Sequence, residues 1–183
     1  LAGSGGAAYT AAVPSSETHI VSVVIPALNE EAGIREVLER LRRAGDKVVE
    51  DREEISAVQI LVVDDGSTDG TAEVSRSVEG VELLALEKNR GYGGALKAGF
   101  AQASGDLLVF LDADGTYPPE FLGELVGSMI ETDADIILGS RMSGAHSEMP
   151  AVRRAGNYFF ARMLSWITGR SISDTASCMR IFK

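Results

Sequence analysis

Apolar positions along this chain alternate between short unbroken runs and helically spaced stretches. IVSVVI (20–25) is a continuous β-branched run, the pattern of a strand buried on both faces, and Pro26 is expected to end it. EEAGIREVLERLRR (30–43) spaces Ile34, Val37, Leu38 and Leu41 along one face of a helix, and the acidic stretch 45–56 reads as a connection or an extension of it. AVQILVV (57–63) repeats the buried-strand pattern and runs into DDGSTDGT, where Asp69 can cap a helix over about 70–79. VELLALE (81–87) predicts a third strand, GYGGALKAGFAQA (91–103) a helix opened by glycines, and DLLVFL (106–111) a fourth strand. Two prolines then start a helix at about 118–131. ADIILGS (134–140) predicts a fifth strand, and NYFFARMLSWITG (157–169) a strongly apolar helix closed by Gly169.

This alternation predicts the α/β class, a mostly parallel sheet with helices on both faces. Ligands of such sheets sit beyond the carboxyl ends of the strands. Three acidic or polar clusters fall there: PALNE after the first strand, DDGSTDG after the second and DADGT after the fourth. Each alone reads equally as a turn. Together at one sheet edge their carboxylates repel unless a cation or a donor-rich ligand sits among them.

Composition narrows the partners. The chain has 183 residues, 45% hydrophobic and 24% charged, with net charge −10, so it suits one soluble globular domain. Nucleic acid is an unsuitable partner, because a phosphate backbone is held by clustered Lys and Arg. The charge is uneven: residues 1–140 carry net −15 and residues 141–183 net +5. One cysteine, Cys178, excludes an internal disulfide framework, fits a reducing compartment and reads as a small buried hydrophobe. Residues 1–19 are small, polar and aperiodic and read as a flexible tail, with His19 inert inside it. His146, in a Gly/Ser loop, reads as a surface residue.

Asp112 and Asp114 form the sharpest cluster. Two carboxylates completed by water and phosphate oxygens is a common way to hold Mg²⁺ or Mn²⁺, and an ion there would bridge a diphosphate. The string GXXXXGK[ST] of a phosphate-binding loop is absent. Gly91-Tyr92-Gly93-Gly94-Ala95-Leu96 has Leu96 in place of the third glycine of a dinucleotide fingerprint and follows the third strand, which argues against a nicotinamide dehydrogenase.

VSVVIPALNEE, VVDDGSTDGT, NRGYGGALKAG, FLDADGTYPPE, GSR and SDTASCMRIF, in this order, resemble glycosyltransferase family 2, a GT-A fold, and within it the dolichol-phosphate mannosyltransferase-like branch. The resemblance covers residues 20–183 and implies a GT-A catalytic domain, cut short at the C-terminus where relatives continue with further helices. It implies inverting transfer of a sugar, mannose or glucose, from a nucleoside-diphosphate sugar to a polyprenyl phosphate. By the same resemblance, Pro26, Leu28 and Glu30 line the nucleotide, with Leu28 where a Tyr is frequent. Val63 and Asp65 hold base and ribose. Asp112 and Asp114 match the metal-binding Asp-x-Asp, Ala113 meets the nucleotide through its backbone, and Thr116 takes the metal-shell position usually filled by Gln. Arg141 and Arg154 match phosphate- or sugar-binding positions, as do Asp174 and Arg180 in the late motif, where Cys178 and Met179 replace Gly-Phe.

A polyprenyl phosphate is already an anion near neutral pH, so it needs orientation and positive charge, not a general base. Arg141, Arg153, Arg154 and Arg180 supply forked guanidinium groups; Lys88 and Lys97 are further candidates for the diphosphate. Arg153 and Arg154 equally fit a solvated helix start. The helix at 157–169 fits core packing or a lipid-facing surface, so the expected partners include a membrane surface or a membrane-spanning protein at the cytoplasmic face. Two other activities stay open: the same fold acting on a hydroxyl acceptor, with Asp174 as base, and a nucleotide-sugar-binding module without turnover.

Overall fold

The protein was analysed as a computed structural model that describes residues 18–132, 134–139, 151–168 and 179–183. Its spine is β1 (His19–Ala27), buried from Val21 to Ala27. Val21, Val23 and Ile25 face one side of the sheet and Val24 the other, as the two-residue period of a strand requires. β2 (Ile55–Asp64) and β4 (Leu107–Phe110) pair with β1 in parallel on its two sides, and β3 (Val81–Ala85) pairs in parallel with β2. With β5 (Ile136–Leu138) and β6 (Arg180–Phe182) the sheet order is β3-β2-β1-β4-β6-β5. The chain winds outward from β1 through β2 to β3, then returns to the other side of β1 as β4. That reversal opens a crevice at the carboxyl ends of β1 and β4.

α1 (Ile34–Asp51), α2 (Thr71–Arg76) and α4 (Leu122–Thr132) cover one face, where Val21, Ile25, Leu38, Leu41, Val62, Leu111, Leu122 and Met129 form the main core. α3 (Tyr92–Gln102) covers the other, over Val24, Leu61, Val63 and Ala95. Gly99 is what lets α3 lie so close. A Cβ there would stand 2.3 Å from Val24 Cγ1 and 2.9 Å from Val63 Cγ2.

Three features differ from the sequence expectations, and the acidic stretch resolves in part as the extension of α1. Pro26 does not end β1, which continues to Ala27 in register with Asp64. Val24 and Pro26 turn their main chains the same way, toward β4, and the ladder with β4 ends at the Val24–Phe110 pair, so the missing Pro26 N–H falls beyond its last rung. α1 absorbs part of the acidic stretch, because Gly45 and Val48 continue the buried stripe of Ile34, Val37, Leu38 and Leu41. β6 is an unpredicted antiparallel strand between β4 and β5. His19 begins β1, so it is not in a tail. Its ring pairs with Asp106, whose other carboxylate oxygen accepts from Ile20 N–H at 2.9 Å.

α5 (Ala151–Thr168) holds Ala161 buried while Tyr158, Phe159, Phe160, Met163, Trp166 and Ile167 are exposed, Trp166 by 85%. Among the described residues these six side chains are not part of the packed core. Residues 1–17 and 140–150, with His146, lie outside the described residues.

A forked ion pair ties α1 to the turn that starts α4. Arg40 Nε and Nη2 each donate to one Glu120 oxygen at 2.8 Å, and this bond holds the Glu120 carboxyl below its ordinary 4.5. A carboxylate with a lowered folded-state value contributes stability above the unfolded value and loses it as pH falls through the folded one. An Arg40→Ala, Glu120→Ala double-mutant cycle should give a coupling of only ~0.5 kcal/mol at pH 7, since both groups are partly solvated. Denaturant melts repeated at successively lower pH should show that coupling shrink below pH 4.5 and vanish only after pH has fallen through the lowered folded-state value.

Candidate active site

The crevice at the strand ends is an open cleft of about 300 Å³. Pro26 reaches it from the end of β1, Leu28 and Glu30 from the loop that follows, Asp65 from just past the end of β2, and Asp112, Ala113 and Asp114 from the loop after β4. The structure thus brings seven of the residues singled out in the sequence into one cleft. Asn89, Gly91, Tyr92 and Ala95 complete it. The sequence offered this last stretch as the glycine-rich start of a helix and as part of the family resemblance, with no site role assigned to Asn89, Tyr92 or Ala95.

Two of the loops are fastened to each other. Asn29 adopts φ +58°, a left-handed conformation that Asn tolerates better than most residues. Its side-chain oxygen accepts from Thr68 N–H at 2.9 Å while its own N–H donates to Ser67 Oγ at 3.0 Å. Glu30 N–H donates to Thr71 Oγ1 at 2.8 Å, and Glu31 Oε2 accepts from Gly70 N–H at 2.9 Å. Asp69 accepts from Glu31 N–H and from the N–H of Thr71, the first residue of α2. The DDGSTDG segment is therefore both a set of turns and the support of the loop after β1. Asp65, only 3% exposed, accepts from Arg90 N–H at 2.7 Å and so fixes the 86–91 loop as well.

Charge is concentrated here. Burial raises the Glu30 carboxyl above its ordinary 4.5, and the neighbouring charges of Asp114, Asp69 and Asp112 raise it further. On the opposite wall, Asp114 Oδ1 accepts from Thr116 N–H at 2.9 Å and Asp112 Oδ1 from the Tyr92 hydroxyl at 2.8 Å. Among the described residues no three acidic, His or Cys side chains form a cage for a metal on their own. The donor set that is present, two neighbouring carboxylates with hard oxygens, fits Mg²⁺ or Mn²⁺, which fill the remaining positions with water and phosphate oxygens.

The other expected residues fall elsewhere. Val63 is fully buried beneath α3, so its side chain is not in the cleft wall. Thr116 is exposed outside the cleft and touches Asp114 through its main chain. Lys88 and Lys97 are exposed and outside the wall. Arg180 sits in β6 with its guanidinium 5.6 Å from the Phe110 ring centroid, a cation–π contact one strand away from the cleft wall. Met179 is fully buried and offers a ligand no side chain. Arg141, Asp174 and Cys178 lie outside the described residues; Arg153 and Arg154 lie within α5, with side chains outside what is described.

Comparison with known proteins agrees with this geometry. Residues 22–183 match the family Glycosyl transferase family 2. A dolichyl-phosphate hexose transferase of Haloferax volcanii is 32% identical over 89% of the chain and 66% of its own length. An undecaprenyl-phosphate 4-deoxy-4-formamido-L-arabinose transferase of Aeromonas hydrophila is 33% identical over 92% of the chain and 50% of its own. The chain thus spans about half to two thirds of the length of such relatives. Among solved structures, glucosyl-3-phosphoglycerate synthase of Mycobacterium tuberculosis shares the fold with a TM-score of 0.63 at 24% identity, over 90% of this chain and 56% of that one. A Pyrobaculum calidifontis mannosyltransferase in complex with GDP-Man and Mn²⁺ gives 0.55 at 25% identity, over 68% and 36%. A GT-A sheet whose switch-point cleft draws on PALNE, DDGSTDG and DADG, matched by the family over residues 22–183, places this chain in glycosyltransferase family 2.

Proposed function

We propose that the chain is the donor-binding and catalytic part of an inverting, metal-dependent glycosyltransferase that moves a hexose from a nucleoside-diphosphate sugar to a polyprenyl phosphate. The observation that carries this reading is the convergence of Glu30, Asp65, Asp112 and Asp114 on one open cleft at the switch point. Carboxylates so placed repel one another: burial raises the Glu30 carboxyl and the charges of Asp114, Asp69 and Asp112 raise it further, and a ligand that brings a cation and hydroxyl donors relieves them. Such a ligand is a nucleoside-diphosphate sugar with Mg²⁺ or Mn²⁺, and the solved mannosyltransferase at 25% identity carries GDP-Man and Mn²⁺.

In this reading Asp65 accepts from a ribose hydroxyl with the carboxylate oxygen that Arg90 N–H does not use. Pro26 and Leu28 supply the apolar side of the nucleotide site, and Ala113 lies between the two metal-binding carboxylates of Asp112 and Asp114. A divalent cation held by that pair would take up the charge that develops on the diphosphate as the sugar–phosphate bond breaks. Tyr117, buried just past this pair, donates its hydroxyl to the Gly139 carbonyl. This bond tethers the start of the segment that leads to Arg141, so Arg141 and Arg154 are proposed to orient the anionic acceptor for in-line attack. No base is required of the protein.

The relatives named for dolichyl- and undecaprenyl-phosphate support a lipid-linked acceptor. Among the described residues no helix is long and apolar enough to cross a membrane. The exposed aromatic residues of α5 are proposed to meet the membrane from its cytoplasmic face. The test is a panel of GDP- and UDP-sugars assayed with a short polyprenyl phosphate, with and without Mn²⁺. Transfer to the lipid phosphate should depend on the metal and favour one base. Equal transfer with a chelator present, or transfer only to hydroxyl acceptors, would overturn it.

A further inference from the structure

The two carboxylates of DADG are held in different ways. Asp114 Oδ1 is fixed within its own turn, by the main chain of Thr116. Asp112 Oδ1 is fixed by a side chain from another element, the hydroxyl of Tyr92, 2.8 Å away and twenty residues earlier in the chain. Tyr92 is the first residue of α3 and follows Gly91, whose φ of +76° turns the chain into the helix. Its ring is 52% exposed and forms part of the cleft wall beside Asp112, Ala113 and Asp114. The ring is therefore not needed to fill the core, and its place is set by the cleft.

A donor on one oxygen of a ligating carboxylate fixes the side-chain rotamer and leaves the other oxygen for the ligand; loss of such an orienting group typically costs 10–100-fold in metal affinity. We propose that Tyr92 is a positioning residue for Asp112, which presets the carboxylate for the divalent cation and couples the start of α3 to the metal side of the donor site. This inference rests on the metal-dependent reading above. It adds to that reading a residue with no counterpart in the acidic motifs.

Mn²⁺ titrations followed by electron paramagnetic resonance, with GDP or UDP present, test it on wild type, Tyr92→Phe and Tyr92→Ala. Phe keeps the ring and removes only the hydroxyl. Both variants should bind Mn²⁺ about tenfold more weakly, with Phe as defective as Ala, and nucleotide binding measured with a chelator should be unchanged between Phe and wild type. A Phe variant that binds Mn²⁺ as tightly as wild type, or more tightly, overturns the positioning role even if Ala is defective, because the ring alone would then be at work. A wild-type chain that binds no Mn²⁺ with either nucleotide overturns the metal-dependent reading itself, and the role of Tyr92 with it.

Discussion

Asp114→Asn should remove metal-dependent donor binding while leaving the fold intact. Asp114 is exposed, and the one described bond to its side chain, from Thr116 N–H, ends on an oxygen that an asparagine also carries. The turn therefore keeps its local acceptor, while the pair that faces the cation loses a full charge. Groups that stabilise developing charge in a site of this kind are each worth on the order of 10²–10³ in turnover, and a fall of that size is expected here. Stability should move the other way or not at all. Asp114 is the largest of the charges that raise the Glu30 carboxyl, so its neutralisation relieves repulsion in the unliganded cleft. Calorimetric titration of donor with Mn²⁺, run beside thermal melts, separates the two effects. Retained metal-dependent binding would sink the assignment of Asp114, and a collapsed melt would show that its role is structural.

Gly66→Ala should damage fold and site together. Gly66 lies in the DDG turn at φ +77°, and a Cβ there would stand 2.9 Å from the Asn89 main-chain nitrogen and 3.2 Å from the Lys88 carbonyl carbon. Main chain cannot step aside as a side-chain tip can. A non-glycine residue in such a conformation costs roughly 1–3 kcal/mol, and at this chain size each kcal/mol lowers the melting temperature by about 2–4 °C. Relief of the clash pushes out the 86–91 loop, which Asp65 holds through Arg90 and which leads into Gly91 and Tyr92 of the cleft. Donor binding should weaken with stability. Gly80→Ala is the control: φ is +76° there too, but the nearest atom is the Arg42 Cδ at 3.7 Å, far from the cleft. It should melt lower than wild type and bind donor normally. Equal donor binding by both variants would show that the Gly66–Asn89 approach does not shape the site.

The long elements were legible because each carries its own periodicity. β1 and β2 carry short apolar runs rich in Val and Ile, and the α1 stripe can be read from Ile34 to Leu41 and on to Val48. β6 was not legible. Three residues hold no period, and its existence depends on partners in β4 and β5 remote in sequence. The acidic half of the cleft could be read because its clusters follow strands directly. Strand parity could have corrected Val63, which shares the inward face of Val24 and Leu61. Tyr92 carries no such signal: its bond to Asp112 exists only once β4 lies beside β1 and α3 begins at Gly91.

The interlock of Asn29, Glu30 and Glu31 with residues 67–71 has a thermodynamic consequence for recognition. Loops left free in the empty protein would have to be immobilised at each encounter, and that entropy would be subtracted from affinity. Here these two loops lose their freedom once, during folding. For a nucleotide docking there as proposed, the cost is mainly its own lost motion, and any adjustment on binding falls to the remainder of the cleft, where the described bond to the Asp112 side chain comes from the Tyr92 hydroxyl.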